Sequence, residues 1–217
     1  MLRYLVTSWN QQMVQRLDRF QQLVNDFLLP PISPEILSSS ADCLVHISDT
    51  PAVLYPTLFR LLNKIKPKVL IHTGDLVDQL KLENHAYLYD LYQKQLKQLI
   101  GCLEHSPVET IYLVPGNHDD PALMNSVCHR CQVIPESSLI QFGPFRLGIA
   151  HEPQHLPPGA DFALYGHCLD KPTASAGRPL SGLSSINILL SSGEIYPIPY
   201  PQGTNVARGI KIRPQKI

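Results

Sequence analysis

Three short apolar runs, each closed by a small polar cluster, constrain this chain more than any other feature. Cys43 to Ser48 ends in Ser48-Asp49-Thr50, Lys68 to Thr73 in Thr73-Gly74-Asp75, and Glu109 to Val114 in Pro115-Gly116-Asn117-His118-Asp119. Between the first two, Pro56 stands at a first helical position ahead of Leu58, Leu61, Leu62 and Ile65 on one face. A long helix from about Glu83 to Glu104 separates the second run from the third, and a shorter one from about Ala122 to Cys131 follows. Strands that alternate with helices predict an α/β fold, and the carboxyl ends of such strands converge on one crevice. The polar clusters then face one volume. Phe145 to Ala150, Phe162 to Tyr165, Ser185 to Leu190 and Ile195 to Ile198 supply further strands.

Composition narrows the class. The chain has 217 residues, 44% of them hydrophobic and 17% charged, which excludes disorder driven by charge. Lys plus Arg and Asp plus Glu both number 18, so the broad positive field of a nucleic-acid or anionic-membrane binder is absent, and an anionic substrate has to be recognised locally. Five cysteines, an odd number without a disulfide framework, point to a reducing compartment and hence the cytoplasm. Neither a signal peptide nor an apolar stretch of membrane-spanning length is read.

Ahead of the strands, Val6, Trp9, Met13, Leu17, Phe20, Val24 and Phe27 recur every three or four positions and predict one amphipathic helix. Leu29-Pro30-Pro31 stops it, and Pro34 with Ser38, Ser39 and Ser40 reads as a connector. The expected organisation is a helix and connector over 1–40 and a single domain over 41–217. The helix either packs on the chain's own core or binds a protein partner or a second copy.

Taken as donors, Asp49, Asp75 and Asn117 come from three successive strand ends, and His151 and His167 from the ends of two later strands. A mixed oxygen and nitrogen set without thiolate suits Mn, Fe or Zn. Gly74, Gly116 and Gly166 each precede a donor, where a sharp backbone turn is expected.

These residues make the chain similar to the calcineurin-like metallophosphoesterase superfamily. Ser48-Asp49-Thr50, Gly74-Asp75-Leu76-Val77-Asp78, Gly116-Asn117-His118-Asp119, His151 and Gly166-His167 match its five motifs in order and spacing, from about Cys43 onward. The resemblance implies a four-layer αββα sandwich of two mixed sheets and the hydrolysis of phosphomonoesters or phosphodiesters with divalent metal ions. It implies that Asp75 bridges two ions, that Asn117, His151 and His167 complete the second site, and that Asp49 serves the first. His118 would protonate the leaving oxygen or steady the developing charge, with Asp119 orienting it or capping the following helix. Asp78 is read as structural.

The family's first motif is Asp-x-His and its last Gly-His-x-His, and Pro51 and Leu169 stand where the second histidines belong. Both missing residues serve one site, so one tight ion and one weak or absent ion are expected. Mn or Fe suits the tight position, while Zn and Mg remain open; an oxygen-only first site would favour Mg or Mn. His155 and Asp170 are the candidates to replace a lost ligand, whereas His46 falls on the opposite face of its strand from Asp49. Cys128-His129-Arg130-Cys131 reads as reduced structural thiols, and Arg208 to Lys216 as a solvated, basic edge strand or a phosphate attractor. The Tyr196 to Pro201 run is a candidate wall of the cleft. Two functions compete: a metal-dependent phosphoesterase, and a non-catalytic scaffold or sensor acting through protein partners.

Overall fold

The computed structural model describes residues 32–38, 42–81, 86–169, 172 and 177–210. Residues 1–32 and 33–217 are separate compact units. The amphipathic helix expected at Val6 to Phe27 lies outside the described residues, as do His85, Asp170 and the tail beyond Ile210.

The apolar runs form the expected strands, and each strand is paired by the neighbour that the βα rhythm supplies. β1 (Cys43–Ile47), β2 (Val69–His72), β3 (Thr110–Leu113) and β4 (Gln132–Val133) lie parallel, with Ile47 opposite His72 and His72 opposite Leu113. Antiparallel β9 (Ile186–Leu190) and β10 (Ile195–Ile198) extend the sheet beyond β1, giving the order β10-β9-β1-β2-β3-β4. The second sheet runs β5-β6-β7-β8, from β5 (Ser138–Phe142) and β6 (Phe145–Ile149) to β7 (Phe162–Tyr165) and β8 (Arg178–Ser181). Its first pair is antiparallel and the others are parallel, so both sheets are mixed.

Helices flank the sheets: α1 (Pro34–Ser38), α2 (Tyr55–Ile65), α3 (Tyr89–Glu104), α4 (Pro121–Val127) and α5 (Thr204–Ala207). The stretch from Pro34 to Ser38 is thus a short helix rather than an open connector. Leu58, Leu61, Leu62 and Ile65 form the buried stripe of α2, as their spacing dictates. Among the described residues, no helix is long and apolar enough to cross a membrane.

The core between the sheets joins Leu44, Ile71 and Leu189 of one with Leu147, Ile149, Phe162, Leu164 and Leu180 of the other. Alternation puts Leu44, His46 and Ser48 on this inner face. His46 is therefore a core group, fully buried, with Nε2 3.0 Å from Thr73 Oγ1. Burial pushes its imidazole down to about 3, so it stays neutral.

Two boundaries differ from the pattern for identifiable reasons. Helix α4 stops at Val127 because the Glu104 carboxylate accepts the backbone N–H groups of His129, Arg130 and Cys131 at 2.7, 2.7 and 3.0 Å, diverting them from the helix ladder. Strand β5 hairpins into β6 through Gly143-Pro144, with Gly143 at φ 55.

Candidate functional site

The expected donors sit where the strands end, and the backbone there is strained. Five described non-glycine residues adopt left-handed φ, and three of them are Asp49 (φ 50), Asp75 (φ 55) and His167 (φ 59). Each such residue costs about 1 kcal/mol or more, so the neighbouring structure must hold it. Asp49 N–H donates to the Gly74 carbonyl and Thr50 N–H to the Asp75 carbonyl, both at 2.9 Å, which ties the first two loops together. Gly74 turns with φ 95, but Gly116 and Gly166 do not adopt positive φ. They serve close approach instead of the expected turn. A Cβ on Gly116 would strike the Asp75 carboxylate, and one on Gly166 would strike Ser48 and the Asp49 carboxylate.

Four donor atoms converge. His151 Nε2 lies 2.9 Å from Asn117 Oδ1, 3.2 Å from His167 Nδ1 and 3.5 Å from Asp75 Oδ2, while His167 Nδ1 lies 3.0 Å from Asn117 Oδ1. His151 Nδ1 donates to the Thr73 carbonyl at 2.7 Å, which leaves Nε2 of the neutral ring as a lone pair. That lone pair faces Asn117 Oδ1, which has no proton to give, and Asp75 Oδ2. Donor atoms at right angles around an ion with bonds of about 2.1 Å would lie about 3 Å apart, so the set fits a divalent cation. Asp75 and His151 are buried, whereas Asn117 and His167 are exposed, so the cluster has a floor and an open mouth.

The electrostatics agree. Burial pushes the Asp75 carboxyl up to about 9, reinforced by the Asp119 and Asp49 carboxylates and opposed by the His118 N–H, which donates to Asp75 Oδ1 at 3.0 Å. A cation bound to Asp75 would relieve that penalty.

Asp119 is a clamp between loops. Its oxygens accept from Leu76 N at 3.0 Å, Gly116 N at 2.9 Å and the Tyr92 hydroxyl at 3.2 Å. The helix cap falls to Asp120, which accepts from Leu123 N at 3.0 Å. Glu136 does similar work for the later histidine, accepting from His151 N at 3.0 Å and Glu152 N at 3.2 Å.

The other side of the crevice is built differently. Asp49 Oδ2 accepts from His167 N at 3.1 Å. Asp78, 2% exposed, pairs with Lys81, and ligand atoms of Asp75, Asp78 and His118 lie within 4.8 Å of one another. Burial holds the Asp78 carboxyl above its usual range while Lys81 pulls it back. Arg208 is buried beneath Asp49, donating to the carbonyls of Asp49 (2.6 Å), Ser48 (3.0 Å) and Leu183 (2.9 Å), with its guanidinium 4.1 Å above the Tyr200 ring. Pro51 is buried and Leu169 is 66% exposed.

The calcineurin-like phosphoesterase profile matches residues 44–206, three quarters of the chain. The chain belongs to that family. The family's general activity is metal-dependent phosphoester hydrolysis. Among solved structures, YfcE, a phosphoesterase from E. coli, is similar at 13% identity over 72% of this chain and 97% of that one, with a TM-score of 0.48. A nuclease MPE from Pseudomonas putida is similar at 19% identity over 74% of this chain and 88% of that one, with a TM-score of 0.37. No curated protein sequence matches the chain significantly.

Within this family frame, the structure gathers Asp75, Asn117, His151 and His167 at one point and leaves Asp49 beside them on the backbone of His167. The ligand substitute considered at His155 is placed elsewhere, with Nδ1 2.8 Å from Glu136 Oε2. Asp78, read from sequence as structural, lies beside Asp75 and His118. Its signal was available in the turn Leu76-Val77-Asp78-Gln79, which returns the chain toward the strand end it has just left. Arg208, read as part of a solvated edge, is 2% exposed. Nothing local in its sequence announces that burial.

Proposed function

We propose that this chain is a metal-dependent phosphoesterase that cleaves a phosphomonoester or phosphodiester around one divalent cation, Mn or Fe, held by Asp75, Asn117, His151 and His167. The observation that carries the reading is the approach of Asn117 Oδ1, His167 Nδ1 and Asp75 Oδ2 to within 3.5 Å of His151 Nε2, with no proton to share between His151 Nε2 and Asn117 Oδ1. A divalent cation supplies Lewis acidity to a phosphoryl oxygen and lowers the pKa of a water.

The chain's own groups do the rest. His118, its side chain 11% exposed and Nε2 4.0 Å from Asp75 Oδ2, faces the same volume. As water adds to phosphorus and the bond to the leaving oxygen breaks, His118 gives its ring proton to that oxygen, and the water's proton passes to solvent. Asp119 acts as a positioning residue, holding the Leu76 and Gly116 amides so that Asp75 and Asn117 keep their spacing. Asp49 fixes the His167 loop through its N–H.

A scaffold reading draws on Leu169, an exposed leucine where the family has a histidine, and would use protein partners at that surface or through Val6 to Phe27. The experiment that separates the two is Mn-dependent hydrolysis of p-nitrophenyl phosphate and its bis ester by wild type and His118→Ala. We expect the variant to lose about 100-fold or more in kcat while ion content and melting are kept. An unchanged rate removes His118 from the mechanism, and no turnover by ion-loaded wild type favours the scaffold.

A further inference from the structure

Asp49, Asp75 and Asp78 place three carboxylates, each 3% exposed or less, in one crevice. Buried carboxylates persist as anions only where cations face them. The nitrogen and amide donors gather on Asp75, so one divalent ion there satisfies Asp75 and leaves Asp49 and Asp78 short of positive charge. On their side the chain brings cations of its own. Lys81 Nζ pairs with the Asp78 carboxylate, and the Arg208 guanidinium lies beneath Asp49 on the Ser48 and Asp49 carbonyls. With Asp119 acting on Asp75, four negative charges then meet one divalent ion, one ammonium and one guanidinium. Pro51 and Leu169 add no donor atom on that side.

We propose that the Lys81 ammonium occupies, at Asp78, the place a second metal ion would otherwise take, so that the centre runs on a single exchangeable divalent ion. This rests on the metal-dependent reading above. Lys81 is one residue past the buried Leu80, and its side chain is 33% exposed, so it reaches Asp78 from the rim of the crevice. An ammonium in contact with a carboxylate removes that oxygen from competition for a cation and repels a second ion from the same volume. Arg208 cannot take this part, because its donors go to the Ser48, Asp49 and Leu183 carbonyls and to Asn205 Oδ1.

The test is titration of the ion-free, full-length protein with Mn, read by calorimetry and by the loss of free-Mn electron paramagnetic resonance signal. Wild type should bind one ion tightly. Lys81→Ala should bind a second ion about tenfold or more tighter than wild type does, and Lys81→Arg should behave as wild type. The double variant Asp78→Asn/Lys81→Ala, which removes donor and cation together without leaving a buried charge unpaired, should return to one ion. One tight ion with Lys81→Ala indistinguishable from wild type overturns this inference and leaves the phosphoesterase reading standing. Two ions of similar affinity in wild type also overturn it. No bound ion in wild type overturns both.

Discussion

The two sides of the crevice use the same kind of buried carboxylate for opposite ends. Around Asp75 Oδ2 the surrounding side-chain atoms are acceptors or lone pairs, at 2.9 to 3.5 Å from His151 Nε2, while Asp75 Oδ1 accepts from the His118 N–H. Around Asp49 and Asp78 the surrounding groups are donors that the chain itself supplies: His167 N–H, Lys81 and, through the backbone, Arg208. A group of acceptors needs an external cation or a proton between them, whereas a carboxylate already facing donors does not. The lesson is that counting aspartates and histidines finds the crevice, but only the partners of each oxygen say which half of it is unfinished.

The sharpest way to break that comparison is to neutralise one aspartate on each side. Asp75→Asn removes the oxygen on which every other donor gathers, so ion affinity should fall by more than about 100-fold, beyond what loss of an outer partner costs. Asp49→Asn should leave affinity within about tenfold, because its carboxylate already accepts from His167 N–H. Equal losses in the two variants, measured by Mn titration, would show that the sides are equivalent and that two ions are shared between them.

Much of this was legible in the residues because strand ends and donor types are local. Asp49, Asp75 and Asn117 follow three apolar runs directly, and the parallel pairing of β1, β2 and β3 carries them to one edge. What was not legible depends on long-range contacts. Arg208 Nε meets the Asp49 carbonyl across 159 residues, and the short helix α5 that delivers it is bracketed by Gly203 and Gly209, both at positive φ. A basic stretch with Ala207, Arg208 and Gly209 gives no local hint that its arginine is the buried member. Asp119 shows the same dependence: adjacency to His118 in sequence suggests a pair, and the turn also carries its carboxylate to Leu76 N, Gly116 N and the Tyr92 hydroxyl. Residues one apart in a turn need not face one another.

Arg208 offers a second way to sharpen the contrast, since it supports the finished side and touches none of the gathered donors. Arg208→Met keeps the bulk but leaves the Ser48, Asp49 and Leu183 carbonyls without their buried donor. We expect a loss of about 3 kcal/mol in stability by chemical denaturation, with Arg208→Lys recovering part of it. Ion affinity at the Asp75 cluster should fall far less than in Asp75→Asn. A loss under about 1 kcal/mol would mean that water replaces the guanidinium and that Asp49 needs no such support.

A pH series on the ion-free protein gives the smallest but most selective signal. The Asp75 carboxyl is raised to about 9 in the folded chain, first by burial and then by Asp119 and Asp49, against about 3.9 when unfolded. A raised acid favours folding while it is protonated, so its contribution is full below about pH 4 and is lost as pH climbs toward 9. Asp119, raised to about 6 by burial, adds to the fall at the acid end of that window. Between about pH 6 and pH 8 the ion-free protein should lose roughly 3 kcal/mol of stability, since one proton per pH unit is worth about 1.4 kcal/mol. Saturating Mn should reverse the trend, because the ion competes with that proton and binds more tightly as it leaves. Asp75→Asn should flatten the slope of the ion-free protein, whereas Asp78→Asn should keep most of it, its carboxylate being paired with Lys81. A slope that survives in Asp75→Asn and vanishes in Asp78→Asn would move the unfinished half of the crevice to the other side.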